Sequence, residues 1–177
     1  MYAQLTVAPP KRVMGAGGML PDKTPETTAR TILRNHWDKD LPVDPIVIAK
    51  KMGFTVYLDS GLSSLGQFFI DQTGQRSIRL RPAELASRQR FAVAHELGHS
   101  CLDHGPQKET DNSVYSLYNL HPVDRAANHF ALALIMPHSA MEHYSCQGIA
   151  LKNLSKKFNV TTQAMEFRLG QLGLALL

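Results

Sequence analysis

Cysteine is scarce in this chain: Cys101 and Cys146 are the only two, and they form no C-x-x-C pair. That excludes a disulfide framework and a cysteine-built zinc site, and the reading that fits is two small apolar residues in a reducing, cytoplasmic protein. Long apolar runs are lacking too. The longest, Phe130–Met136, falls far short of the roughly 20 residues a membrane-spanning helix needs, so no such span is expected. Charge of one sign hardly dominates: Lys plus Arg number 19 against 15 Asp plus Glu, a net charge of +4. So mild an excess permits a nucleic-acid partner without requiring one. The opening MYAQLTVAPPKRVMGAGGMLPDK places its basic pair after the apolar stretch and has no small-residue cleavage site, so no secretory signal is read.

What is present suits one folded unit. The chain has 177 residues, 44% apolar and 19% charged, enough to bury a core without cross-links. Proline and glycine crowd the first residues, so 1–22 is expected to be a flexible arm and 23–177 a single domain. Thr24-Pro25-Glu26 and Asp44-Pro45 each read as an N-cap followed by an N1 proline, and Gly53 reads as the residue just past a short helix. Phe54–Asp59, Leu65–Asp71 and Ser77–Arg81 are β-branched or aromatic runs separated by turn residues, which predicts a three-stranded antiparallel meander.

Pro82 and Glu84 then open a long helical pattern that fades near Gly105, a polar stretch to about Leu120 reads as a mobile loop, and Pro122 starts a second helix halted by Pro137. Two further helical patterns, Ile149–Phe158 and Thr162–Leu172, make a pair across 148–173 with helix-turn-helix spacing. Strands grouped before long helices give an α+β fold.

The chemistry lies in His95-Glu96-Leu97-Gly98-His99. On a helix His95 and His99 stand one turn apart on one face, so two imidazoles can grip one metal ion. Glu96 is offset from them, suited to take a proton from water at the metal and poorly aimed to bind the metal itself. Shuffled chains of this composition would show the pattern in about one case in a hundred.

A catalytic zinc takes three protein ligands. A third histidine further along the same helix fails the metzincin spacing, because Leu102 and Gly105 hold the required positions. His104 would lie about 140° around the helix from His99, pointing away from the metal. The ligand should come from the second helix, where Asp124 and Asn128 share a face. Asp124 is the expected third ligand, and Asn128 is placed to accept a hydrogen bond from the non-ligating nitrogen of His95 or His99.

RFAVAHELGHSCLDH followed by VDRAANHFALALIMP resembles the two signatures of the ImmA/IrrE-type metallopeptidases. In that family a glutamate usually stands where this chain has Asp124, one methylene shorter, so the two helices must approach more closely or metal affinity must drop. The resemblance covers most of the chain from about Thr24. It implies a small zincin-like fold, with the sheet packed on the H-E-x-x-H helix and a second ligand-bearing helix, and one Zn2+ per chain. It further implies cleavage of helix-turn-helix repressors, releasing stress-response or mobile-element genes.

On this reading Glu96 is the proton carrier, and His121, Tyr115 and Tyr118 are candidates to stabilise the oxyanion. An extended substrate would lie along a sheet edge, at Leu65, Gly66, Gln67, Phe68 and Phe69 or at Ser77–Leu80. Two other classes stay open. One is DNA binding through 148–173, helped by Lys156, Lys157 and Arg168. The other is a non-catalytic metal-binding regulator or toxin–antitoxin partner.

Overall fold

A computed structural model describes residues 23–82, 85–107, 115–118 and 121–176; the expected arm at 1–22 lies outside the described residues. The proline-marked starts follow from their chemistry. In α1 (Pro25–His36) the Thr24 hydroxyl accepts the Thr27 N–H, and in α2 (Pro45–Lys51) Asp44 accepts from the Ile46 and Val47 N–H groups. Gly53 follows α2 with φ +83°, a left-handed conformation that a Cβ would strain.

The three strands are β1 (Thr55–Leu58), β2 (Gly66–Ile70) and β3 (Arg76–Leu80), but their order is β1-β3-β2. This corrects the expected antiparallel meander: β2 and β3 do pair antiparallel, whereas β1 pairs parallel with β3, so the sheet is mixed. The hairpin between β2 and β3 is set by Asp71, whose Oδ1 accepts the N–H groups of Thr73 and Gln75. The link from β1 to β2 is no tight turn. Its Leu62 and Leu65 are 4% and 3% exposed, and burying them carries the chain across to the far side of the sheet. Ser77–Leu80 is therefore central and offers no edge.

Among the described residues seven helices accompany the sheet: α3 (Ala86–Cys101), α4 (Pro122–Ile135), α5 (His138–Ser145), α6 (Leu151–Phe158) and α7 (Thr162–Leu172) complete the set. α3 ends four residues short of Gly105. α5 was not anticipated, because its polar, histidine-bearing sequence buries only Met141 and Ser145 and shows no apolar period. A single core joins Phe68, Ile78 and Leu80 of the sheet to Val93 and Leu97 of α3, Phe130 to Ile135 of α4, and Phe158 and Met165 of the last two helices.

Two guanidinium groups tie distant segments together from within. Arg90 donates to the carbonyls of Val43, Phe158 and Asn159, and burial lowers its pKa. Arg168 pairs with both carboxylate oxygens of Glu26 at 2.9 Å and donates from Nε to the Met136 carbonyl. Arg168 is the one basic residue of α7, and only 3% of its side chain is exposed. The second helix of the helix-turn-helix-like pair thus presents no cation outward.

Candidate metal centre

The site is built where α3 and α4 cross. Most of α3 from Ala92 to His99 is buried between the sheet and α4. At the crossing a Cβ on Gly98 would meet the Cα and carbonyl oxygen of Ala127 and a ring carbon of Phe130, each at 3.1 Å. Only glycine lets the two backbones come this close.

One ligand atom from each of His95, His99 and Asp124 lies within 4.8 Å of the others. The two Nε2 atoms are 2.9 Å apart, and Asp124 Oδ1 is 3.6 Å from His99 Nε2. Both histidines are 1% exposed. These three residues could hold a metal ion.

The outer nitrogens are engaged. Asn128 Nδ2 donates to the Ser116 carbonyl at 2.9 Å, which turns its Oδ1 toward His95 Nδ1 at 2.8 Å. A carbonyl oxygen only accepts, so His95 Nδ1 carries the proton and its Nε2 keeps a lone pair for a cation. His99 Nδ1 lies 3.2 Å from His104 Nδ1. His104 stays outside the ligand cluster but meets this outer nitrogen, which a helical projection did not foresee: α3 stops at Cys101, and Asp103, at φ +60°, folds the chain back onto His99.

Burial dominates the electrostatics. It lowers the His95 pKa to about 4, against the opposing effect of the hydrogen bond that His95 donates to Asn128, and lowers that of His99 to about 3, with His95, His104 and His121 adding to the effect. Both imidazoles are neutral near pH 7, the form in which they donate to a metal. Glu96 is pushed up to about 7 by burial, although the Phe68 N–H and the Tyr115 hydroxyl pull the other way.

The cleft, about 460 Å³, is also lined by Gly66, Gln67, Tyr115 and His121. β2 forms its rim. Leu65 and Asp71 bond to the β3 side of the sheet at Arg81 and Gln75, so alternation turns the backbone groups of Gly66 and Phe68 toward the free edge. Those groups are occupied: the Tyr115 hydroxyl sits 3.1 Å from Gly66 N and 2.9 Å from Gly66 O, and Phe68 N donates to Glu96 Oε2 at 2.9 Å.

Of the other predicted residues, His121 Nδ1 is 3.2 Å from Asp124 Oδ2, at the cleft. Tyr118 is 66% exposed and meets the edge of Phe167 instead of the cleft. Leu65 and Phe68 are buried, and Phe69 packs on the other sheet face against Tyr57 and Arg79. Sequence reasoning passed over the role of Gly98, whose signal was a glycine inside an otherwise strong helical pattern. It also could not foresee that the Phe68 N–H would bind Glu96, since a backbone group leaves no mark in the residue type.

A solved structure, a Mycobacterium tuberculosis transcriptional regulator, shares this fold with a TM-score of 0.57 at 16% identity, over 82% of this chain and 46% of that one. This chain thus spans less than half the length of that regulator. No curated protein matches it. The family model for Peptidase M78, the IrrE N-terminal-like domain, matches residues 49–170, and the chain belongs to that family.

Proposed function

We propose that this protein is a zinc-dependent endopeptidase of zincin-like architecture that cuts a cytoplasmic regulatory protein, a helix-turn-helix repressor being the class favoured. The observation that carries the reading is the pairing of two neutral imidazoles and one carboxylate with a separate, buried Glu96 in the same cleft. Two nitrogens and an oxygen are a zinc donor set with room for water, and a purely structural site has no use for the extra carboxylate.

His95, His99 and Asp124 would hold the ion, with Asn128 and His104 orienting the rings. When bound, zinc activates water near neutral pH and polarises a carbonyl. Glu96 accepts the proton of the attacking water and passes it to the departing nitrogen, held for that task by the Phe68 N–H and the Tyr115 hydroxyl. An extended substrate would have to displace the Tyr115 hydroxyl from Gly66 to pair along the β2 edge.

The test is elemental analysis of the purified protein beside His99→Ala and Asp124→Ala, followed by sequencing of new N-termini in cells carrying wild type or Glu96→Gln. Near one zinc per wild-type chain, lost in both ligand variants, with a regulator cleaved only by the wild type, is the expected result. A wild type that refuses added zinc, or a Glu96→Gln protein that cuts equally well, would overturn it.

A further inference from the structure

The Tyr115 hydroxyl fills the place on the β2 edge that another backbone would take. An incoming antiparallel strand offers one carbonyl and one N–H to the same residue of an edge. At Gly66 both places are taken by a single oxygen, 3.1 Å from the amide nitrogen and 2.9 Å from the carbonyl oxygen. Gly66 lines the metal cleft together with His95, Glu96 and Asp124, so the closed stretch of edge is the one beside the candidate centre. The same hydroxyl lies 2.9 Å from Glu96 Oε1. The backbone that follows is anchored, since the Ser116 carbonyl accepts from Asn128 Nδ2 at 2.9 Å, and the edge is therefore freed by a swing of the Tyr115 side chain.

We propose that Tyr115 closes the β2 edge in the free protein, that the backbone of an extended substrate drives its hydroxyl off Gly66, and that the hydroxyl is then left to donate to Glu96. The inference rests on the peptidase reading above and deepens it: Tyr115 is a positioning residue for Glu96 whose action depends on an occupied edge. Once a substrate N–H bonds the Gly66 carbonyl, the phenol proton has one acceptor in place of two. Glu96 Oε1 is then held when a substrate is present. A segment whose backbone groups are already paired within its own fold has none to exchange with the hydroxyl, so the substrate selected is an unpaired or locally unfolded stretch of chain.

The test separates binding from turnover. Short synthetic peptides of randomised sequence are selected for binding to the zinc-loaded Glu96→Gln protein, and the affinity of the selected peptide is compared with that for the same protein also carrying Tyr115→Phe. Exchange at the Gly66 amide is followed with and without the peptide. In the protein that keeps Tyr115, its Cζ resonance is followed by NMR as the peptide is added. Cleavage of the peptide is then measured for wild type and Tyr115→Phe, with zinc content and thermal midpoint alongside.

Tyr115→Phe should bind the peptide about tenfold more tightly, because the contacts with Gly66 no longer have to be broken first. It should cut the peptide with a kcat about tenfold lower, because Glu96 has lost an orienting partner, while zinc content stays at the wild-type level. The peptide should restore slow exchange at the Gly66 amide of the variant and move the Tyr115 resonance where the tyrosine is kept. A role confined to stability would not drive affinity and kcat in opposite directions. Equal or weaker binding by a folded Tyr115→Phe, or a Tyr115 resonance that ignores a saturating peptide, would overturn the closure of the edge, and so would a library that yields no ligand. Tighter binding with an unchanged kcat would overturn the hand-over to Glu96. Tighter binding and a protected Gly66 amide without any cleavage by zinc-loaded wild type would overturn the peptidase reading and leave the closure standing.

Discussion

The Tyr115 hydroxyl lies 2.9 Å from Glu96 Oε1 while it also spans the N–H and C=O of Gly66. A phenol has one proton to give, so Glu96 and the Gly66 carbonyl compete for it. One side chain therefore couples the buried carboxylate to the edge of the sheet. Tyr115→Phe would keep the ring, which sits 4.8 Å from His95 between centroids, and delete the coupling. It should lower stability by about 1–3 kcal/mol through unpaired buried groups and speed hydrogen exchange at the Gly66 amide. Wild-type exchange at that amide would show that the contact is not maintained in solution.

Gly98→Ala puts a methyl group against the Ala127 backbone, which cannot swing aside. We expect a loss of about 1–3 kcal/mol from overpacking, together with weaker metal binding, because α4 carries Asp124. Chemical denaturation and a zinc titration check the two effects. A variant with wild-type values in both would mean the helices tolerate a wider separation.

Asn128 acts on the metal through His95. Asn128→Ala removes the acceptor for the Nδ1 proton and should reduce zinc affinity about 10–100-fold, the usual effect of losing such an outer partner. Asn128→Asp keeps an acceptor and should lose less. Competition against a chelator of known affinity measures both, and equal losses would contradict the proposed hydrogen-bond role.

The pair between Glu26 and Arg168 is asymmetric: the Arg168 side chain is 3% exposed and that of Glu26 is 42% exposed. Glu26→Ala strands a guanidinium in the interior, a change of about 3–5 kcal/mol. Arg168→Met leaves a carboxylate that water can reach, and should cost less. Urea melts of the two variants give the comparison, and the reverse order would refute it.

His129 is the acid-sensitive group of the α1–α4–α7 face. Burial, then Arg125 and Arg168, lower its pKa, with Glu26 acting the other way and the Phe167 ring 6.4 Å off. In the unfolded chain it takes up a proton near pH 6.5, before the folded protein does. Wild type should therefore lose stability relative to His129→Gln as pH falls below about 6.5, and the difference should be absent at pH 8. Melting curves across that range decide it, and parallel pH profiles would remove His129 from the account.

Much of the site was legible because it rests on helical spacing. His95 and His99 one turn apart, and Asp124 and Asn128 one turn apart, come together once two helices pack. The helix starts were legible for the same local reason, since Thr24 and Asp44 cap within three residues. What escaped reading was set at long range. Nothing between Asp59 and Leu65 announces that β1 will pair with β3, because pairing partners are chosen by burial of Leu62 and Leu65 and not by a turn code. His104 escaped because a helical projection was carried past the true end of α3.

The strand order also constrains how the chain assembles. β1 and β2 are neighbours in sequence yet never bond to one another, since β3 stands between them. The β2–β3 hairpin closes over a short loop and can form early, whereas β1 must wait for β3 before gaining any ladder hydrogen bond. The first strand in the chain is thus the last to join the sheet, and the Gly66 rim of the cleft is built on the fast half of that assembly.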